Sequence, residues 1–104
     1  MEKRKPTYNL EAFKDACSSV GKLSATGTAL KGARQMGFGP KDIVAAVQSM
    51  SPRMFYKSMT SYADHRVWQD VYHVIYEGEE IYLKFTADTV AEFVILSFKE
   101  KGDG

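Results

Sequence analysis

The sequence predicts an α+β fold: two layers, with a helical N-terminal half packed on one face of a mainly antiparallel sheet. Three observations carry this. Up to Met50 apolar residues recur at spacings of three and four, the period of a helix face. In the second half they alternate with polar residues, the period of a half-buried strand. Between two alternating runs lies Glu77-Gly78-Glu79, a turn signal of the kind that joins antiparallel neighbours. The 104 residues suit one domain, 1–104, with a single core.

The elements follow in order. Leu10, Phe13, Cys17 and Val20 form one apolar helix face, with Asn9 as N-cap, Glu11 in the first turn and Gly21 as the stop. Thr26 or Thr28 caps a short helix through Ala29, Leu30, Ala33 and Met36, ended by Gly37. A third helix follows Gly39, with Pro40 at its first position and Ile43, Val44, Val47 and Met50 facing inward. Ser51-Pro52 closes it, with room for one more turn. Phe55–Tyr62 reads as a strand of weaker pattern, and Val67–Tyr76 and Glu80–Thr86 as a hairpin. Val90–Lys99 is a further strand, with Val94, Leu96 and Phe98 on one face and Ile95, Ser97 and Lys99 on the other. If the apolar triplets of the last two strands share the helix-covered face, Tyr82, Lys84 and Lys99 share the opposite one.

Composition narrows the functional classes. Hydrophobic residues make up 44% and aromatic residues 12%, as in a folded domain. No apolar run approaches the roughly 20 residues of a membrane-spanning helix, and MEKRKPTYNL lacks the apolar stretch of a secretory signal, so a cytoplasmic protein without a membrane partner is expected. Net charge is +1, from 14 basic and 13 acidic residues, a weak electrostatic footprint for nucleic-acid binding. The one dense basic cluster, Lys3 to Lys5, reads as a solvated chain end.

Familiar catalytic arrangements fail on spacing. His65 and His73 are unaccompanied by any CxxC, HxxxH or HExxH, so no metal site is expected. Gly32, Gly37 and Gly39 lack the pattern of a phosphate loop. The single cysteine, Cys17, reads as a buried thiol, and a triad of Ser58, His65 and Asp64 fails because adjacent strand residues point to opposite faces. What stands apart is Phe55–Tyr72, FYKSMTSYADHRVWQDVY, dense in hydroxyl-bearing aromatics, cations, amide and carboxylates beyond the needs of a core. Such residues suit an anionic, base-bearing ligand. Cleavage of RNA by its own 2′-hydroxyl needs a proton acceptor, a proton donor and a cation for the phosphorane-like charge. Lys and Tyr supply these without metal, although as bases they need a depressed pKa. Aromatic and amide groups hold splayed bases.

The chain resembles the MqsR family of messenger-RNA-cleaving toxins from MqsR/MqsA toxin–antitoxin systems. MEKR at Met1–Arg4, FYKSMT at Phe55–Thr60, Tyr62 with Asp64-His65, WQDVY at Trp68–Tyr72, YLK at Tyr82–Lys84 and SFKEK at Ser97–Lys101 carry the resemblance. It implies a RelE-like fold, with helices on one side of a curved sheet and the RNA site on the other. It implies a ribosome-independent endoribonuclease, needing no cofactor, that cuts mRNA at short GC-containing sites and stops translation and growth. It also implies a zinc-binding, DNA-binding MqsA-type antitoxin as partner.

Carried over from the family, the catalytic candidates are Lys57, Gln69, Tyr82 and Lys99. Lys57 and Lys99 are assigned to the scissile phosphate, Tyr82 to proton transfer, and Gln69 to the base or the attacking hydroxyl. Tyr56, Met59, His65 and Lys84 are candidate RNA contacts of second rank. After Tyr72 the chain reads HVIYEGEE and departs from the Arg-Pro of a family relative. Each candidate has a plainer reading: solvated lysines at Lys57 and Lys99, cross-strand packing at Tyr82, and a local hydrogen-bonding pair at His65 with Asp64. The alternative function is a non-catalytic module that binds an antitoxin or nucleic acid on its sheet face.

Overall fold

Side-chain caps start two of the helices. The Asn9 carboxamide oxygen accepts from Ala12 N–H at 2.8 Å and opens α1, Leu10–Ala16; the Thr26 hydroxyl accepts from Ala29 N–H at 3.1 Å and opens α2, Gly27–Gln35. Helix α3, Pro40–Gln48, begins with proline, whose missing N–H costs nothing there, and the Asp42 carboxylate reaches back to Gly39 N–H at 2.9 Å. The computed structural model describes residues 1–102. Among these residues the strands are β1, Glu2–Lys3; β2, Phe55–Thr60; β3, Trp68–Tyr76; β4, Glu79–Asp88; and β5, Glu92–Glu100. Single 3-10 turns occupy Val20–Lys22 and Pro52–Met54.

The strands form one antiparallel sheet in the order β1-β2-β3-β4-β5, and the helices lie against one of its faces. This is the α+β layering expected from the sequence. The β3–β4 turn is Glu77-Gly78, with φ of 51° and 76°; two successive left-handed residues match the twist of a tight hairpin, and glycine accepts that backbone without strain. Core side chains come from both layers. Phe13 of α1 stacks on Phe85 of β4 at 3.7 Å between centroids, and Phe93 meets both rings edge-on at 5.7 Å. Ile43, Val47 and Met50 pack with them against Tyr72, Val74, Leu83 and Phe98. Gly32 lets α2 lie directly on β5: a Cβ there stands 2.1 Å from the Phe98 carbonyl oxygen.

Three expectations are corrected. First, α1 stops at Cys17 and leaves Val20 47% exposed. Gln48 of α3 donates its amide to the Lys14 and Cys17 carbonyls at 2.8 and 3.2 Å, so the early end leaves them satisfied. Second, the inward residues of β5 are Phe93, Ile95 and Phe98, not Val94, Leu96 and Phe98. The ladder steps from Lys84↔Ser97 to Phe85↔Ile95, so Leu96 is an extra residue and the alternation reverses across it. Third, the basic N-terminus is no mere solvated end. Glu2 and Lys3 pair with Met59 and Ser58 as an edge strand, and Lys3 Nζ lies 4.2 Å from the centre of the Trp68 ring. The chain then crosses the helix-side face, where the buried Asp70 carboxylate accepts from Thr7 N–H at 3.1 Å and Tyr8 N–H at 2.9 Å.

Candidate nucleic-acid interface

Opposed residues of an antiparallel ladder point to the same face, so the register sorts the polar side chains. One row across the face away from the helices is Lys57, Val71, Lys84 and Ser97. The next is His73, Tyr82 and Lys99. A third begins Glu2, Met59, Gln69. Between Phe55↔Tyr72 and Lys57↔Val71 the β2–β3 ladder shifts by a residue; this bulge admits Tyr56, whose ring stacks on His73 at 4.3 Å.

Seven of the eight candidates therefore gather on the open face, drawn from β2, β3, β4 and β5: Tyr56, Lys57, Met59, Gln69, Tyr82, Lys84 and Lys99. The surface is cationic and aromatic together. Lys57 Nζ and Lys99 Nζ stand 5.3 Å from the ring centres of Tyr56 and Tyr82, and the Arg4 guanidinium stands 5.9 Å from Tyr56. Val71 is fully buried although it faces away from the helices, and it sits between its cross-strand neighbours Lys57 and Lys84.

His65 lies elsewhere, exposed in the loop after β2, beside a groove it shares with Met1, Glu2, Met59 and Tyr62. Asp64, its expected partner, pairs instead with Arg66 at 3.1 Å. Two participants escaped sequence reasoning. Glu2 ion-pairs with Lys57 through a short hydrogen bond. His73 heads the row that runs on through Tyr82 and Lys99; the signal that finds it is its parity with Gln69 and Val71, between the buried Tyr72 and Val74.

Burial and neighbouring charge set the protonation states. The hydrogen bond to Glu2 raises the Lys57 pKa and lowers that of Glu2. Burial raises Tyr82, against an opposing pull from Lys57. Burial, then the charges of Lys99 and Lys57, lowers Lys84. The depression that a tyrosine base requires is therefore absent at Tyr82: the phenol stays protonated near neutrality and is suited to donating. Together the face offers ammonium groups for an anion, a protonated phenol and stacking rings, the apparatus for holding a phosphodiester and its bases. Among the described residues, no group of three or more His, Cys, Asp and Glu side chains is placed to hold a metal ion. Nor is any helix among them long and apolar enough to cross a membrane.

Two comparisons relate the chain to known proteins. The family described as "Motility quorum-sensing regulator, toxin of MqsA" matches residues 5–100. The mRNA interferase toxin MqsR of Escherichia coli (strain K12) is 38% identical over 101 residues, which cover 97% of this chain and 100% of that protein.

Proposed function

The chain belongs to the MqsR toxin family, and on that premise we propose that its open sheet face is the active site of a metal-independent messenger-RNA endoribonuclease. The chain is an mRNA interferase toxin of a toxin–antitoxin system, countered by an antitoxin of the MqsA kind. The finer reading is that all of residues 1–104 act as one toxin domain in the cytoplasm, cutting mRNA at short GC-containing sites. The antitoxin would bind zinc and DNA.

One observation carries the site: strands far apart in sequence bring Lys57, Tyr82, Lys84 and Lys99 onto the face that the helices leave open. In this mechanism Lys57 and Lys99 hold the scissile phosphate and stabilise the charge that grows on its oxygens. Lys84 adds positive potential between them. Tyr82 donates a proton to the leaving 5′-oxygen. Gln69, beside Met59, reads a base edge, while Tyr56 offers a ring for stacking. The products are a 2′,3′-cyclic phosphate and a 5′-hydroxyl.

Incubation of the purified chain with an mRNA transcript in EDTA tests the reading. Fragments ending in 2′,3′-cyclic phosphate are expected. A Lys57→Ala/Tyr82→Phe double variant should cut at least about 10³-fold more slowly. Intact RNA with the wild type, or equal cutting by the double variant, overturns the assignment in favour of a binding module.

A further inference from the structure

Attack by a ribose 2′-hydroxyl requires a proton acceptor, and the groups placed at the phosphate are poor ones. Lys57 is held as an ammonium by Glu2, and Tyr82 is held as a phenol by burial. Lys84 is lowered, but from an ordinary lysine value of about 10.4. Each is better suited to donating a proton or holding an anion.

His73 has the position and chemistry these lack. It faces the open side of β3, directly opposed to Tyr82, which is opposed in turn to Lys99. Its ring stacks on Tyr56 at 4.3 Å and 26°, and lies 6.2 Å from the Tyr82 ring at 42°. The stack orients the imidazole plane without occupying its edge. Among the described residues neither ring nitrogen has a hydrogen-bond partner, and no fully buried side-chain nitrogen lacks one, so the nitrogens of His73 are open to a ligand.

We propose that His73 is a catalytic residue, the general base that takes the proton of the ribose 2′-hydroxyl at the cleaved linkage. This rests on the reading that RNA is cut on the open face by its own 2′-hydroxyl. As the imidazole takes that proton, the 2′-oxygen forms a bond to the adjacent phosphorus. The bond from phosphorus to the 5′-oxygen breaks, and the leaving oxygen receives a proton from the Tyr82 hydroxyl. The imidazolium and phenolate then return to their starting states by proton exchange through solvent. No electron transfer or further reactant is involved.

The surroundings keep the imidazole available as a base. Tyr56 faces it from β2 and Tyr82 from β4, the charges of Glu80 on β4 and Lys101 after β5 act on it, and Lys99 lies beyond Tyr82 on β5. Burial, then the Lys101 charge, lowers the His73 pKa, while Glu80 raises it; Lys101 and Glu80 are themselves ion-paired at 3.1 Å. The histidine is therefore neutral at pH 7, and cleavage declines only as pH falls below the ordinary histidine value of about 6.5.

The test is single-turnover cleavage of an mRNA transcript in EDTA across pH 5 to 9, with folding of each variant checked by thermal melting. His73→Gln should cut about 10²- to 10³-fold more slowly and lose the acid limb, with RNA affinity changed less than about threefold. Added imidazole should speed His73→Ala at least about tenfold, in proportion to its neutral fraction. A His73→Gln rate within about threefold of wild type, with the same acid limb, overturns the assignment. So does a folded His73→Ala variant that imidazole does not speed. Wild-type ends bearing 2′,3′-cyclic phosphate alongside an indifferent His73→Gln variant overturn the His73 role alone. Wild-type fragments ending in a 3′-hydroxyl overturn it together with the underlying 2′-hydroxyl mechanism.

Discussion

A lysine that is to hold a phosphate must first leave any anion already beside it, and for Lys57 that anion is Glu2. Removing the carboxylate with Glu2→Gln should free Lys57 and tighten RNA binding about two- to fivefold. It should also steepen the salt dependence by up to about 0.7 in log–log slope, measured by titration at several salt concentrations. Unchanged affinity and slope would show that the pair does not compete with RNA. At Tyr82 the raised pKa puts deprotonation above the ordinary tyrosine value of about 10, so the rate of cleavage should show no alkaline fall up to pH ~9. Tyr82→Phe should lower the rate about 10²- to 10⁴-fold at every pH. The alternation of β4 alone placed Tyr82 and Lys84 away from the core. Lys57 and Lys99 are ordinary lysines until a resemblance marks them. Glu2 was not legible, and at His73 only the parity of the strand was. Glu2 meets Lys57 only because residues 55 apart pair across an edge, and His73 gains its neighbours from β2 and β4.

Elements with a local signal were the readable ones. Caps at Asn9 and Thr26, Pro40 at the start of α3 and the Glu77-Gly78 turn each act within a few residues, so their sequence positions suffice. The reversal in β5 was not readable, because the bulge at Leu96 exists only against β4. Strand β1 was hidden for the same reason; two residues carry no alternation and are ordered by β2 and by the Asp70 clasp on Thr7 and Tyr8. Asp70→Ala leaves those two N–H groups without their acceptor. It should destabilise the fold by about 2–4 kcal/mol in urea unfolding and speed hydrogen exchange at Thr7 and Tyr8. At the α2–β5 contact, Gly32→Ala drives a methyl into the Phe98 carbonyl. A loss of about 2–3 kcal/mol is expected, seen as a Tm lowered by roughly 10–20 °C. A Tm within a few degrees of wild type would mean that α2 shifts without cost.

At the scale of the whole molecule, the two faces of the sheet do different work. One buries Phe13, Phe85, Phe93 and Phe98; the other leaves cations and rings in reach of solvent. The buried face also sets an alkaline limit. Burial pushes the Cys17 thiol up to about 11 and the Tyr72 phenol up to about 12, so the folded state retains protons that the unfolded chain loses. Their contribution is intact below pH ~9 and is lost as pH rises toward 12. Stability should fall by a few kcal/mol over that window, followed by circular dichroism melts and tyrosine absorbance. A pH-independent Tm from 9 to 11 would contradict this. By itself the sequence determined the order of helices and strands, most caps and the turn, because periodicity and backbone preference act locally. Through its motifs it also pointed to the family and to Lys57, Gln69, Tyr82 and Lys99. Only the tertiary structure decided which of these residues meet, that Glu2 shields Lys57, that Leu96 reverses β5, and that His73 stands between Tyr56 and Tyr82. Register, bulges and burial arise between strands distant in the chain, and the protonation state of each group follows from them.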